Sequence, residues 1–452
     1  MEPEQQLTQR LSAARVSAVA LTWVDNAGLT RVKAVPVGRL TEAVRRGVGM
    51  SPVFDVFLVD DSITSSPRIG GPDGDLRLVP DLERLTVLAG QPGWAWAPAD
   101  RYEQTRAPYV ACQRGFARRQ ADRALAEHGL ELRMGFETEW AVTRPGDSGD
   151  GRPPGGQALP GGTGPAYGMS RLVGLTDYLR DLTEAFAAQG LPLLQLHPEY
   201  SPGQFEISAR PAAPVAAADD AVLVRETIRA VSNRHGLHTS FAPVADLGGL
   251  GNGRHLHLSL WRGGKNACRD GDGPYGMSGV CEAFLAGVLR ELPALLAIGA
   301  PTPASYLRLR PSVWAGAFQC WGLENREAAV RFVTGAPDDQ EAANAEVKCF
   351  DGAANPYLLV GAVIAAGLAG VGDGLTLPQP VSGDPAERHV SPPPRLPESL
   401  PAALDQLESS TVLRTALGEE LYGAILAVRQ GEVALFAEST PDEIVAATRE
   451  RY

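Results

Sequence analysis

Apolar and polar positions alternate through Leu132-Arg133-Met134-Gly135-Phe136-Glu137-Thr138-Glu139-Trp140-Ala141-Val142, a pattern that predicts a half-buried β-strand. A first strand is expected in the apolar run Val16 to Val24. From there to about Ala99, short strand-like runs are separated by turns such as Asp25-Asn26-Ala27-Gly28 and Gly70-Gly71-Pro72-Asp73-Gly74-Asp75. The pattern then changes. A helical period appears over about Gly115 to His128, and helices near Thr176 to Gln189 and Asp219 to His235 flank a strand at Gln204 to Ser208. Gly236 supplies a helix stop. The apolar run Pro356 to Val371 opens with Asn355 as an N-cap and a first-turn proline, which predicts a buried helix. It falls short of the roughly 18 apolar residues of a membrane span and is broken by Gly361, Gly367 and Gly370.

Two stretches interrupt this alternation. Pro145 to Met169 is dense in Gly and Pro and reads as a long excursion, while the Pro-rich, charged stretch Pro378 to Pro401 is expected to run over the surface. The tail from Leu404 to Tyr452 predicts two or three amphipathic helices. The chain is thus an α+β protein with a small strand-rich N-terminal domain and a larger domain after it. At 452 residues it exceeds the size of a typical single core.

Composition narrows the class. With 44% hydrophobic and 21% charged residues the chain reads as globular. A formal net charge of -12 without a basic block argues against nucleic acid as a partner. The five cysteines, Cys112, Cys268, Cys281, Cys320 and Cys349, form no CxxC motif and fit buried thiols in a reducing compartment. Without a basic leader or cleavage site at the first apolar run, a cytoplasmic protein with no membrane partner is expected.

The candidate chemistry begins with Glu137 and Glu139. Residues i and i+2 of a strand share a face, so two carboxylates point the same way. Alone, the pair fits a solvated strand edge as well as a site. Later segments repeat the theme: Glu199 and Glu206 within His197-Pro198-Glu199-Tyr200-Ser201-Pro202-Gly203-Gln204-Phe205-Glu206, His255 and His257 after a Gly-Asn-Gly turn, and Glu346 in Ala345-Glu346-Val347-Lys348. Five carboxylates and a histidine on separate strands fit a site for two hard divalent cations. A cationic set, Arg308, Arg310, Arg326, Arg331 and Lys348, surrounds Asn325-Arg326-Glu327-Ala328-Ala329-Val330-Arg331. Metals and arginine forks in one site point to phosphoryl transfer from a nucleotide. The chain has neither a Walker-type loop nor a GxGxxG turn, which argues against P-loop and Rossmann enzymes.

In this order, Gly135-Phe136-Glu137-Thr138-Glu139, Gly203-Gln204-Phe205-Glu206, Gly251-Asn252-Gly253 with His255-Leu256-His257, Asn325-Arg326-Glu327, and Asp351-Gly352-Ala353-Ala354-Asn355-Pro356-Tyr357 resemble glutamine synthetase, as does Leu413-Arg414-Thr415-Ala416-Leu417-Gly418. The resemblance covers nearly the whole chain and is weakest in the first hundred residues. It implies an N-terminal β-grasp domain over residues 1–105 and a catalytic domain with a curved antiparallel sheet over 106–452. It also implies a homo-oligomer, commonly a dodecamer of two stacked hexameric rings with active sites between subunits. Two or more Mg2+ or Mn2+ ions per site and ATP as a substrate are implied as well. Glu139, Glu199 and Glu206 match the ligands of the first metal. Glu137, His255 and Glu346 match those of the second, and His257 matches a residue near the nucleotide. Asn252, Gly253 and Arg308 match glutamate-binding positions, while Arg326 and Arg331 match those contacting phosphate. The implied chemistry is phosphorylation of the glutamate γ-carboxylate by ATP, followed by attack of an amine on the acyl phosphate.

The chain departs from the ammonia-using pattern at three places. Trp314 stands where those enzymes carry a glutamate that binds ammonium and takes up its proton. An indole attracts a cation over its face but accepts no proton. Gly49-Met50-Ser51-Pro52 lacks the Asp of the family's N-terminal motif, with Asp55 a few residues on. Lys348 replaces an arginine that grips glutamate, keeping the charge but losing the fork. In addition, no tyrosine lies between Pro378 and Pro401, so the family's adenylylation switch is not expected. The expectation is a γ-glutamyl ligase for a larger amine, such as ethanolamine, another alkylamine or a polyamine, with Trp314 lining the amine pocket. The alternatives are an authentic glutamine synthetase whose proton acceptor is Asp55 or Glu324, and a non-catalytic assembly protein of the same fold.

Overall fold

A computed structural model of the chain describes residues 2–144, 164–269, 271–336, 338–387 and 390–452. Its first sheet is built from β1 (Ala18–Val24), β2 (Thr30–Pro36), β3 (Val48–Met50), β4 (Leu76–Pro80), β5 (Thr86–Val87) and β6 (Trp94–Glu103). The strand order is β2-β1-β6-β4-β3, with β5 paired to β6. β1 is antiparallel to β2 and parallel to β6, and the helix Leu40–Arg46 follows β2 and packs on β4. This is the β-grasp arrangement that the resemblance implies.

The second sheet comprises β7 (Glu131–Thr143), β8 (Leu193–Pro198), β9 (Gln204–Ala209), β10 (His238–Ser240), β11 (Leu256–Arg262), β12 (Lys265–Asn266), β13 (Phe318–Leu323), β14 (Ala328–Val333) and β15 (Asn344–Val347). Its order is β13-β14-β15-β11-β7-β9-β8, with β10 added to β7 and β12 to β11. Every pairing within it is antiparallel except β13 with β14, which is parallel. The predicted alternation organises its longest strand. Leu132, Met134, Phe136, Trp140 and Val142 are buried on one face, whereas Glu137 and Glu139 emerge on the other.

Helices cover the apolar face: Gln113–His128, Pro214–Arg234, Gly279–Gly299 and Pro356–Asp373 pack on one another and carry much of the core. Pro356–Asp373 alone among the described residues is long and apolar enough to cross a membrane, and it is mostly buried within the protein. Asn355 begins this helix as predicted. Its Oδ1 accepts from the amides of Tyr357 (2.9 Å) and Leu358 (3.2 Å), and its Nδ2 donates to the carbonyls of Val24 and Asp25. One side chain therefore caps the core helix and ties it to the end of β1.

The helix expected from Asp219 begins earlier, at Pro214, a residue suited to a first turn, and ends at Arg234 before Gly236 with φ of 64°. The tail forms four helices rather than two or three: Leu400–Ser409, Thr411–Leu417, Glu419–Leu435 and Pro441–Arg449. Local caps cut it. Ser410 caps one helix through the Leu413 amide, Gly418 takes φ of 76°, and Thr440 forms a capping box with Glu443. All five cysteines are buried and unbridged, as expected of reduced thiols. Of the predicted Gly/Pro-rich excursion, residues 145–163 lie outside the described part of the chain.

Candidate active site

Sheet register gathers the predicted residues into one stripe across five strands and the turn before β11. Glu139 on β7 stands directly opposite Glu206 on β9, which in turn stands opposite His197 on β8. On the other side of β7, the Glu137 amide donates to the carbonyl of His255. His257 on β11 faces Glu346 on β15, and Glu346 faces Arg331 on β14. Residues far apart in the chain thus line one concave face, where a cavity of about 640 Å³ opens. That volume suits a small-molecule site.

Two carboxylates and two imidazoles share the middle of the stripe. His255 Nδ1 lies 3.0 Å from Glu137 Oε2 and 3.0 Å from Glu346 Oε1, while His257 Nε2 lies 3.1 Å from Glu137 Oε1. Glu346, 1% exposed, also meets Arg331 at 3.1 Å and Lys348 at 3.0 Å. Burial would raise the pKa of Glu137, but the two histidines hold it far below the usual carboxylate range. Glu346 is likewise held low against its burial, chiefly by Lys348 and His255. The His255 imidazole, despite burial and the nearby Lys348 charge, is raised to about 9 by Glu137 and Glu346.

Farther along the stripe, charge is less compensated. Glu199 and Glu206 are both raised, first by burial and then by neighbouring carboxylates, Glu206 acting on Glu199 and Glu137 and Glu139 on Glu206. His197 stands between them, 3.4 Å from Glu199 and 3.3 Å from Glu206, and is raised to about 9 chiefly by its bond to Glu206. Carboxylates facing each other across paired strands repel unless a cation lies between. The donor atoms of Glu137, His255 and Glu346, and those of His197, Glu199 and Glu206, each lie within 4.8 Å of one another. Carboxylate oxygens joined by imidazole nitrogen form a donor set that fits hard divalent cations.

The cationic side of the cavity holds Arg308, Arg310, Arg326, Arg331 and Lys348, all lining it as the sequence grouping suggests. Arg308 is 6% exposed at the end of the helix Pro303–Arg308, with Nη2 3.3 Å from His255 Nε2 and 3.2 Å from the Lys348 carbonyl. Trp314 also lines the cavity and is 54% exposed. It is not an ordinary buried aromatic. Asn252 and Gly253 back the wall rather than line it. The Asn252 amide donates to the carbonyls of Ser240 and Ala242 and accepts from Gln204, while a Cβ on Gly253 would stand 2.6 Å from His255 Nε2 and 2.7 Å from Arg308 Nη2. Only glycine lets those two side chains meet over the backbone.

The two acids weighed as replacement proton acceptors are otherwise engaged. Asp55 is fully buried and bound by Arg101, Tyr109 and Gln113, and Glu324 pairs with Arg331 at 2.5 Å. Several residues of the site were not assigned from sequence. His197 and Tyr167 line the cavity, and Tyr167 bonds Glu199. Arg171 donates from Nη1 to the carbonyls of Glu199 (2.6 Å), Tyr200 (2.9 Å) and Ser201 (2.9 Å), fixing the turn that carries Glu199. His197 had a signal, being two residues before Glu199 on the same strand run. Arg171 had none, because its partners lie about thirty residues ahead.

Comparison with known proteins agrees with this geometry. The model of the glutamine synthetase catalytic domain matches residues 110–446, and that of the glutamine synthetase N-terminal domain matches residues 6–106. The chain is 51% identical to the gamma-glutamylpolyamine synthetase of Streptomyces coelicolor, over 99% of this chain and 96% of that one. It is 29% identical to the glutamine synthetase of Methanocaldococcus jannaschii, covering 94% of each. Among solved structures, a novel glutamine synthase homolog superposes with a TM-score of 0.85 at 32% identity, covering 97% of this chain and 99% of that one. A GmaS/ADP complex superposes with a TM-score of 0.84 at 27% identity, covering 96% and 97%.

Proposed function

The chain belongs to the glutamine synthetase family, and from that premise we propose an ATP-dependent ligase that joins the γ-carboxylate of glutamate, through γ-glutamyl phosphate, to an amine other than ammonia. Alkylamines, ethanolamine and polyamines are the candidates. The name of the Streptomyces coelicolor relative puts polyamines first. The observation that carries the reading is that one cavity brings together the acids, histidines and arginines suited to phosphoryl transfer and an exposed Trp314 that offers no proton acceptor.

In this reading Glu139, Glu199 and Glu206 hold one divalent ion and Glu137, His255 and Glu346 another; the second set converges as such, whereas the donor atoms of Glu199 and Glu206 converge with His197, and Glu139 faces Glu206 across the paired strands. Bound there, such ions supply charge neutralisation for the nucleotide phosphates. His257 stands beside the nucleotide. Arg326 and Arg331 neutralise charge on the transferring phosphoryl group, an electrostatic task that arginine forks suit. Arg308 and Lys348 orient glutamate, and Asn252 and Gly253 act from behind that wall, Gly253 by leaving room for Arg308 to meet His255. The γ-carboxylate oxygen attacks the terminal phosphorus of ATP and ADP leaves; the amine nitrogen, as the free base, then attacks the γ-carbon, and inorganic phosphate leaves with its oxygen and takes up the proton the nitrogen sheds. Trp314 offers a π-face to a cationic or alkyl amine and no atom that accepts a proton. Asp55 and Glu324, each already engaged by an arginine, do not favour an authentic ammonia enzyme.

The remaining parts of the reading follow the family. The domains are residues 1–105 and 106–452, a division supported by the two separate sheets. Mg2+ or Mn2+ is the metal, the assembly is a ring-built homo-oligomer, a dodecamer in the commonest form, and the compartment is the cytoplasm, in keeping with five reduced thiols. The test is phosphate release from ATP with glutamate and divalent metal, across ammonia, ethanolamine, butylamine, putrescine and spermidine. Turnover with one or more organic amines well above that with ammonia is expected. Turnover with ammonia alone, or with none of them, refutes the reading.

A further inference from the structure

We infer that Glu327 is a positioning residue for amine selection: it holds the Trp314 loop at a fixed place relative to Arg326. The inference rests on the assignment of Trp314 to the amine wall made above. The loop after Arg308 does not hold its shape by itself. Ser312 and Trp314 both take φ of 59° and Gly316 takes 73°. The left-handed region disfavours residues other than glycine, so two of these three positions persist only if neighbouring elements over-determine them. At Gly316 a Cβ would approach Ala329 Cα to 3.0 Å and Lys348 Cβ to 3.1 Å, so the loop is pressed against β14 and the end of β15.

Two side-chain tethers supply what the loop lacks. Glu327 Oε1 accepts the backbone N–H of Trp314, and Ser312 Oγ donates to Asp384 Oδ2 at 2.6 Å. Glu327 is 6% exposed, does not line the cavity, and adjoins Arg326, which does. Its backbone is fixed in turn. The Glu327 amide donates to Asn325 Oδ1, while Asn325 Nδ2 donates to the carbonyls of Val381 and Gly383. The loop carrying Trp314, the turn carrying Arg326 and the segment 381–384 thus converge on one carboxylate and one amide side chain. A short charge-assisted bond from a buried carboxylate to a backbone amide is stronger than a neutral one. It reaches the backbone of Trp314 and leaves the indole free to face the cavity.

A residue acting this way affects amine binding more than glutamate or ATP binding. In the intact enzyme, Glu327→Asp, one methylene short of the Trp314 amide, is expected to raise KM for the preferred organic amine about tenfold. KM for glutamate and for ATP should change less than about twofold. Glu327→Gln keeps a carbonyl acceptor at the same reach and is expected to restore KM for the amine to within about threefold of the parent. Hydrogen exchange of the peptide spanning 311–317 should quicken in the Asp variant and not in the Gln variant. Equal behaviour of the two variants, or parallel rises in KM for amine and glutamate, overturns the inference. If the parent used ammonia alone, the preceding reading would fall, yet the same split measured with ammonia would still decide the role of Glu327.

Discussion

Glu432, on the helix Glu419–Leu435, is wholly buried where that helix meets the N-terminal domain. Its surroundings explain an unusual proton affinity. Burial is the main cause and the Arg429 charge opposes it, leaving the carboxyl at about 7 against an ordinary value of 4.5. The neutral form is therefore the one the fold prefers. Below about pH 4.5 the carboxyl is protonated in both folded and unfolded chains, and its contribution is fully present. As pH rises from there, the unfolded chain releases the proton while the folded chain retains it, so stability falls until about pH 7 and is flat above. The difference between 4.5 and about 7, at about 1.4 kcal/mol for each tenfold, gives roughly 3 kcal/mol. Glu432→Gln imitates the protonated carboxyl at every pH. Urea unfolding at fixed protein concentration should show the variant more stable than the parent by about 3 kcal/mol at pH 8.5, and nearly equal to it at pH 4.5. Asp351, raised to about 6 mainly by burial, adds a similar slope to both proteins, and it cancels in the difference. A variant less stable than the parent at pH 8.5, or a difference independent of pH, would refute this reasoning.

Trp314→Glu places a carboxylate on the exposed rim and should raise kcat/KM for ammonia at least about tenfold, since general bases contribute about 10²-fold or more; an unchanged profile across the amine panel counts against Trp314 as the specificity residue. Glu346→Gln removes the charge shared by His255, Arg331 and Lys348. Calorimetry with Mn2+ should show at least about tenfold weaker binding at one class of site, and phosphate release should fall with it. Asp55→Asn breaks the fully buried pair with Arg101 and is expected to cost about 3–5 kcal/mol in unfolding. Because Asp55 is spoken for structurally, turnover per folded enzyme with organic amines should change little, and a selective loss of kcat would restore it as a proton acceptor.

Much of this site was legible in the sequence because a strand writes its two faces in alternate letters. Glu137 and Glu139 share a face whatever they pair with; His255 lies just before β11, yet its imidazole and that of His257 both reach Glu137. What the alternation cannot encode is which strand comes next. The order β15-β11-β7-β9-β8 and its register set Glu346 opposite His257 at one end of the stripe and Glu139, Glu206 and His197 opposite one another at the other, joining residues more than two hundred positions apart in the chain. The cap at Asn355 could be read locally because it acts within one turn, whereas the caps at Ser410 and Thr440 that cut the tail were not picked out. Arg171 and Asp55 could not be read locally. Each acts through a side chain whose partners are brought near only by the complete fold.

The two walls of the cavity are built on different mechanical principles, and that difference bears on how substrate choice can change. On the phosphate wall every functional carboxylate sits in or beside a paired strand, and a one-residue slip would turn the whole row to the other face. Glu346 alone engages His255, Arg331 and Lys348, so a substitution there disturbs several groups together. The Trp314 wall is a loop with three left-handed residues, held from outside by Glu327 and by the Ser312–Asp384 contact. Its side chain at position 314 makes none of those tethering bonds; the backbone does. The indole can therefore be exchanged for another side chain while the loop keeps its path, and the phosphate wall need not move. If Trp314 selects the amine as proposed, a family sharing one acyl-phosphate chemistry can diversify its amines at such a position, and position 314 is where the sequence resemblance departs from the ammonia-using pattern.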